Sequence, residues 1–223
     1  MTTTSYPADA GSGLYLLTVM GVPTTKTADE ARELHNATAG NPDGVEAAKS
    51  FGDLSHNVYL PADGSNTLTF LDTWNSPTGL GSFFAQEQVQ QGAAALWSER
   101  EAVLWMPAEG FGSYQLPAPS GASVAGLGIM RAPVSSYDAA RDVFHADSVA
   151  KINASRRFGL VAHTLWVPLQ GDTLEVFGVD YWLDTAQMDA WYAQADYSAF
   201  GAAFTGAPET ATLVPAGRDW IEW

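Results

Sequence analysis

The chain has 223 residues and no cysteine, and its 10 Lys and Arg stand against 25 Asp and Glu, a formal charge of −15. So few cations exclude a surface that tracks phosphates and releases counterions, and neither nucleic acid nor an anionic membrane is an expected partner. Without cysteine there is no disulfide framework, thiol nucleophile, Cys-ligated zinc or iron–sulfur cluster, so chemistry falls to His, carboxylates, Tyr, Trp and hydroxyls.

Residues 1–12 carry neither the basic nor the apolar run of a signal segment, and no stretch approaches about 18 uninterrupted apolar residues. The sequence therefore reads as a cytoplasmic protein with a short flexible tail over 1–12. Leu14–Val22 is a β-rich run ended by Pro23, and Thr27 with Glu30 three residues on is a capping box that opens a helix. That helix is interrupted over Gly40–Gly44 and resumes to about Phe51. Strands follow over Leu54–Leu60 and Thr67–Trp74, around the hairpin signal Asp63-Gly64. Pro77 sits in the first turn of a second helix, and Ala102–Met106 is a last strand. A Gly/Pro/Ser-punctuated stretch, residues 110–121, then sets a boundary near residue 115. Beyond it the same order returns: strand 124–132, helix 136–158, strands 160–168 and 173–182 around Gly171-Asp172, helix 185–204 and strand 210–214.

The second half is a copy of the first. Phe51-Gly-Asp-Leu-Ser-His56-Asn-Val-Tyr-Leu-Pro61 aligns without gaps on Phe158-Gly-Leu-Val-Ala-His163-Thr-Leu-Trp-Val-Pro168. Asp72-Thr73-Trp74 follows His56 at sixteen residues, and Asp180-Tyr181-Trp182 follows His163 at seventeen. The pairs Phe83-Phe84 and Trp191-Tyr192 are each followed by Ala-Gln, and Met106-Pro107-Ala108 answers Val214-Pro215-Ala216. The expected organisation is α+β, two tandem ferredoxin-like βαββαβ repeats over 13–115 and 116–223.

Two such units, each with a Trp closing the third strand and an aromatic-rich second helix, resemble a fused pair from the dimeric α/β barrel superfamily, the antibiotic-biosynthesis-monooxygenase-like group. The resemblance implies an intramolecular, pseudo-dimeric α/β barrel, and activities that include cofactor-free oxygenation of aromatic polyketides, haem degradation and lactone isomerisation, alongside members with no assigned role. Fold does not choose among them. The haem-degrading members carry a Trp on the second helix with an iron-ligating His ten residues on. Here Trp191 is followed at that distance by Gly201, and Phe83 by Ala93, so the ligand is missing.

The hairpins supply the sharpest chemical inference. With Gln170 facing Thr173, His163 stands across from Asp180 and Val161 across from Trp182. With Ala62 facing Asn66, His56 stands across from Asp72 and Leu54 across from Trp74. Opposite residues share a face with Cβ atoms about 4.5–5.5 Å apart, within reach of an imidazole–carboxylate hydrogen bond, and a one-residue slip would separate them. The face is otherwise apolar, with Leu54, Val58, Leu60, Leu68, Phe70 and Trp74 in the first half and Val161, Leu165, Val167, Leu174, Val176 and Trp182 in the second. A buried carboxylate there needs its partner.

Two readings stand. In one, His56 or His163 is a general base oriented by Asp72 or Asp180; in the other, the pairs satisfy each other inside a core. His35 falls on the apolar stripe of the first helix with Asn36 beside it, so both join the candidate site, whereas His145 reads as exposed. Trp74, Phe83, Phe84, Trp182, Trp191 and Tyr192 form either plain core or the wall of an apolar pocket. One His and one Asp per half are too few for a metal site, and no nucleotide-binding glycine signature or nucleophile elbow is present.

The expectation is a metal-free, cofactor-independent enzyme acting on a small aromatic or polyketide-like molecule by His-assisted proton abstraction, monooxygenase-like in outcome. Its alternatives are a cofactor-free lyase or isomerase, and a non-catalytic or stress-associated binding protein with structural His–Asp pairs. The partner is a small apolar or aromatic ligand, and the assembly a monomer with pseudo-twofold symmetry or a weak homodimer.

Overall fold

A computed structural model describes residues 13–223; the flexible tail expected over 1–12 lies outside them. The chain divides into two compact units. Unit 1 is completed by Ala216–Trp223, and unit 2 spans Pro107–Pro215.

Unit 1 holds β1 (Tyr15–Pro23), α1 (Ala28–Ala37), α2 (Pro42–Ser50), β2 (Asp53–Pro61), β3 (Leu68–Trp74), α3 (Pro77–Phe84), α4 (Glu87–Leu96) and β4 (Trp97–Pro107). Its sheet runs β4-β1-β3-β2. The capping box forms: the Thr27 hydroxyl accepts the Glu30 N–H, and Glu30 reaches back to the Thr27 N–H. Asn41 caps α2 through the Gly44 N–H, with Pro42 in its first turn. The last strand is longer than expected, starting at Trp97 rather than Ala102.

Unit 2 holds β5 (Tyr114–Gln115), β6 (Gly126–Pro133), α5 (Tyr137–Ser155), β7 (Leu160–Pro168), β8 (Glu175–Trp182), α6 (Thr185–Gln194) and β9 (Glu209–Pro215), in sheet order β9-β6-β8-β7-β5. Two expectations need correction. Helix 136–158 ends at Ser155 and passes through a 3₁₀ turn, and helix 185–204 stops at Gln194 before a short coil and a 3₁₀ turn over Ser198–Ala202. β5, which the sequence pattern did not announce, adds a short edge to β7.

The hairpin registers pair His56 with Asp72 and His163 with Asp180. They hold for one more pair and break at the second, where β2 and β7 bulge: Asp53, not Leu54, faces Trp74, and Leu160, not Val161, faces Trp182. A bulge puts two residues opposite one. Leu54 is thereby turned out to 49% exposure and Asp53 turned in. Leu174, also placed on the inner face by alternation, is exposed in the hairpin before β8 begins.

Candidate active site

The two halves share a His–Asp ladder pair and differ in what surrounds it. In unit 1, His56 Nδ1 lies 2.8 Å from Asp72 Oδ1 and His56 Nε2 lies 2.9 Å from Nε2 of His35 on α1. His35 Nδ1 lies 2.9 Å from Asn36 Oδ1. Asn36 is held by segment 216–223: its oxygen accepts the Ile221 N–H and its amide donates to the Asp219 carbonyl. That fixes which end of the Asn36 amide faces His35.

The protons of the chain follow. Both outer partners, Asp72 and Asn36 Oδ1, accept, so both Nδ1 atoms carry hydrogen, and the Nε2 pair needs one more between them. Three protons on two rings make one positive charge, and the surroundings place it on His56. Burial draws His56 down, but Asp72, then Asp53 and Glu222, outweigh it and leave its pKa above the ordinary value. Burial, and then charge on His56, lower His35 to about 4. The bulged-in Asp53 is driven up to about 8 by burial and by Asp72, and its Oδ1 has no hydrogen-bond partner among the described residues.

In unit 2, His163 Nδ1 lies 2.6 Å from Asp180 Oδ1, and the Tyr192 hydroxyl donates to Asp180 Oδ2 at 2.7 Å. Trp182 Nε1–H donates to the same Tyr192 oxygen at 3.3 Å. Burial, reinforced by Asp180, holds the Tyr192 pKa above its ordinary value, so the phenol stays a donor. Gly128, across the ladder from Asp180, makes this contact possible: a Cβ there would lie 2.0 Å from the Tyr192 oxygen.

This pair opens onto a cavity of about 980 Å³ lined by His163, Asp180, Tyr114, Trp191, Tyr192 and Tyr197, among others. The His163 and Asp180 side chains are 19% and 18% exposed, against 5% and 7% for His56 and Asp72. Two ladder positions explain part of the difference. Unit 1 has Leu17 across from Asp72 and Phe70 across from Val58, with the Phe70 ring edge-on to both His35 and His56. Unit 2 has glycines there, Gly128 and Gly178, and both line the cavity. Nε2 of His163 has no hydrogen-bond partner among the described residues, while Tyr114 lies 5.4 Å away, ring centre to ring centre.

The aromatic candidates divide between these settings. Trp191 and Tyr192 line the cavity, and Trp182 packs beneath Tyr192. Trp74, Phe83 and Phe84 pack on one another. His145 is exposed. Among the described residues no group of three or more His, Asp or Glu side chains is placed to hold a metal ion, and no helix is long and apolar enough to cross a membrane.

Sequence reasoning passed over Tyr114, Asp53, Trp220 and Trp223. The repeated Pro-Ala ending each half was the available signal for three of them: Tyr114 follows the first copy, and Trp220 and Trp223 follow the second. Asp53 depended on the bulge.

No protein-family model and no curated protein matches the chain. Solved structures do match along nearly all of it. An anthrone oxidase-like protein superposes with a TM-score of 0.65 at 15% identity, covering 97% of this chain and 99% of its own. A protein of Lactobacillus acidophilus NCFM, named as a candidate monooxygenase, gives 0.62 at 9% identity over 92% and 95%. A chlorite dismutase variant from Candidatus Nitrospira defluvii gives 0.54 at 11% identity over 93% of each chain.

The likeness is one of fold: like these structures the chain is α+β, a tandem pair of ferredoxin-like units of the dimeric α/β barrel kind, as its repeats imply. At these identities the likeness carries the fold and leaves the reaction to the site.

Proposed function

We propose that the protein is a monooxygenase-like enzyme whose working site is the unit 2 cavity, with His163 as general base on a small, fused-ring aromatic substrate. The observation that carries this is the Tyr192–Asp180–His163 chain ending at an Nε2 on the cavity wall. Its volume suits a drug-sized ligand, typically about 300–1,000 Å³, and the names of the neighbouring structures lend support to an oxygenase.

The chemistry needs no group beyond substrate and O₂. A methylene made acidic by an adjacent carbonyl and aromatic rings loses a proton to Nε2 of His163, and Asp180 stabilises the imidazolium. The carbanion passes one electron to O₂, and substrate radical and superoxide combine to a peroxide that takes the proton back. Loss of the second C–H proton with hydroxide leaves the ketone and water, so that RCH₂R′ + O₂ gives RC(=O)R′ + H₂O. Tyr192 acts through Asp180 and is a positioning residue.

Unit 1's pair belongs to a different reading, that of a structural element, which the burial of His56 and Asp72 supports. The test is oxygen uptake with anthrone as the probe substrate. His163→Gln is expected to lower kcat/KM by at least about 100-fold, the scale of a lost general base, with melting temperature retained. His56→Gln is expected to leave turnover in place. Native-like turnover by the His163 variant would end the proposal.

A further inference from the structure

The chain leaving each unit supplies a strap to the other unit's ladder histidine. After β4 it enters unit 2, where Tyr114 is the ladder partner of His163 and packs against it with the rings tilted by 37°. After β9 it enters unit 1, where Trp223 exchanges two backbone hydrogen bonds with His56, at 2.8 and 3.2 Å. The Trp223 ring stacks on the His56 imidazole at 4.7 Å, 28° from parallel, and Trp220 lies 5.1 Å from His35. The Lys49 ammonium stands 5.7 Å from the Trp223 ring. The segment is bound much as a peptide is, since Asn36 reads Asp219 and Ile221, and Glu222 accepts the Val58 N–H.

Where unit 2 presents its His–Asp pair to a cavity, unit 1 presents His56 to the indole of Trp223 and the neighbouring His35 to that of Trp220. The His35–His56 pair carries one positive charge by the proton count above, and a cation against an aromatic face favours electron-rich rings, indole above all. What fills this place therefore also defines what the place accepts.

We propose that unit 1 contains a second binding site, for a planar, electron-rich aromatic molecule, which the indoles of Trp220 and Trp223 occupy in the resting protein and for which such a molecule competes. The site is separate from the unit 2 cavity, and its occupancy is read at equilibrium without turnover.

The experiment uses the full chain carrying Gly178→Phe, which gives unit 2 the ring that unit 1 has in Phe70. The probe is 2-naphthol and the control a saturated decalin alcohol. At saturating naphthol, amide hydrogen exchange at Ile221 and Trp223 is expected to quicken at least tenfold, with the decalin alcohol leaving it unchanged. Removing the competitor by Trp220→Leu with Trp223→Leu is expected to tighten naphthol binding tenfold or more. Should that pair fail to fold, Trp223→Leu alone serves, with a smaller gain in the same direction. Unchanged exchange at saturation, or a folded Leu variant that binds naphthol no more tightly, overturns the second site and leaves the His163 proposal untouched.

Discussion

Gly128 and Tyr192 act as one device. The phenol reaches Asp180 only because residue 128 has no side chain, and Asp180 in turn holds His163 with Nδ1 inward. Tyr192→Phe removes one hydrogen bond to a charged acceptor, about 1.5–3 kcal/mol where it matters most, so kcat should fall about ten- to a hundredfold with KM little changed. Gly128→Ala should produce the same loss by displacing the phenol. The double variant should be no worse than Gly128→Ala alone, and steady-state kinetics on the four proteins checks the non-additivity.

Asp53 is the residue whose cost to the fold is easiest to measure. Its folded pKa, about 8, lies above the unfolded carboxylate value, so the stability consistent with its burial is complete below the unfolded value and drains away as pH rises through about 8. His35, lowered to about 4, works the opposite way: its contribution is present above its unfolded value and is lost as pH falls through about 4. Asp53→Leu copies unit 2, where Leu160 faces Trp182. It should melt several degrees above the parent at pH 8.5, with the gap closing towards pH 4. Calorimetry across that range reads both ends, and an unchanged gap would show that Asp53 is not the titrating group.

Among the elements, α1 matters most because it carries His35 and Asn36. Its start is pinned by the Thr27–Glu30 box, and losing such a cap costs about 0.5–2 kcal/mol. Thr27→Ala should lower the denaturation midpoint accordingly and quicken amide exchange through the first turns of α1. Much of this level was legible in the chain. The capping box, the hairpin glycines and the spacing from His to Asp are local signals, and they fixed α1, the two hairpins and both ladder pairs. The bulges were not legible. Alternation assumes one residue opposite one, and the extra residue at Leu54 and Val161 is a property of the twisted pair, not of either strand read alone. The early end of α6 at Gln194 was hidden for a similar reason, since the aromatic residues Tyr197 and Phe200 that continue its pattern are held by the cavity wall in a coil and a 3₁₀ turn. Nor could period-2 counting tell an occupied His–Asp pair from an open one. That difference lies in Phe70 against Gly178, two residues from the aspartate on its own strand, and in Leu17 against Gly128, which stand across the ladder on β1 and β6.

Over the whole molecule, the −15 charge acts on stability and on ligand choice. Self-repulsion is screened as the Debye length shrinks from about 30 Å at 0.01 M to about 10 Å at 0.1 M salt, so the melting temperature should rise with sodium chloride over that interval. Asp147, Asp180 and Asp189 line the cavity against a single lysine, Lys151, which Asp147 and the ring of Tyr197 already hold. An uncharged fused-ring ligand should therefore bind more tightly than its carboxylated analogue. Raising salt should narrow the gap, which titration calorimetry with the matched pair would record.

The crossing straps also set an order of assembly. Residues 13–106 leave the ribosome long before Ala216–Trp223, and domains fold as they emerge, N-terminal first. Unit 1 must wait, with His35 and His56 lacking their aromatic cover, until all of unit 2 has been made. The unit synthesised first is the one sealed last, and a chain stalled just after β9 would hold every strand of both sheets with the His35–His56 pair still uncovered.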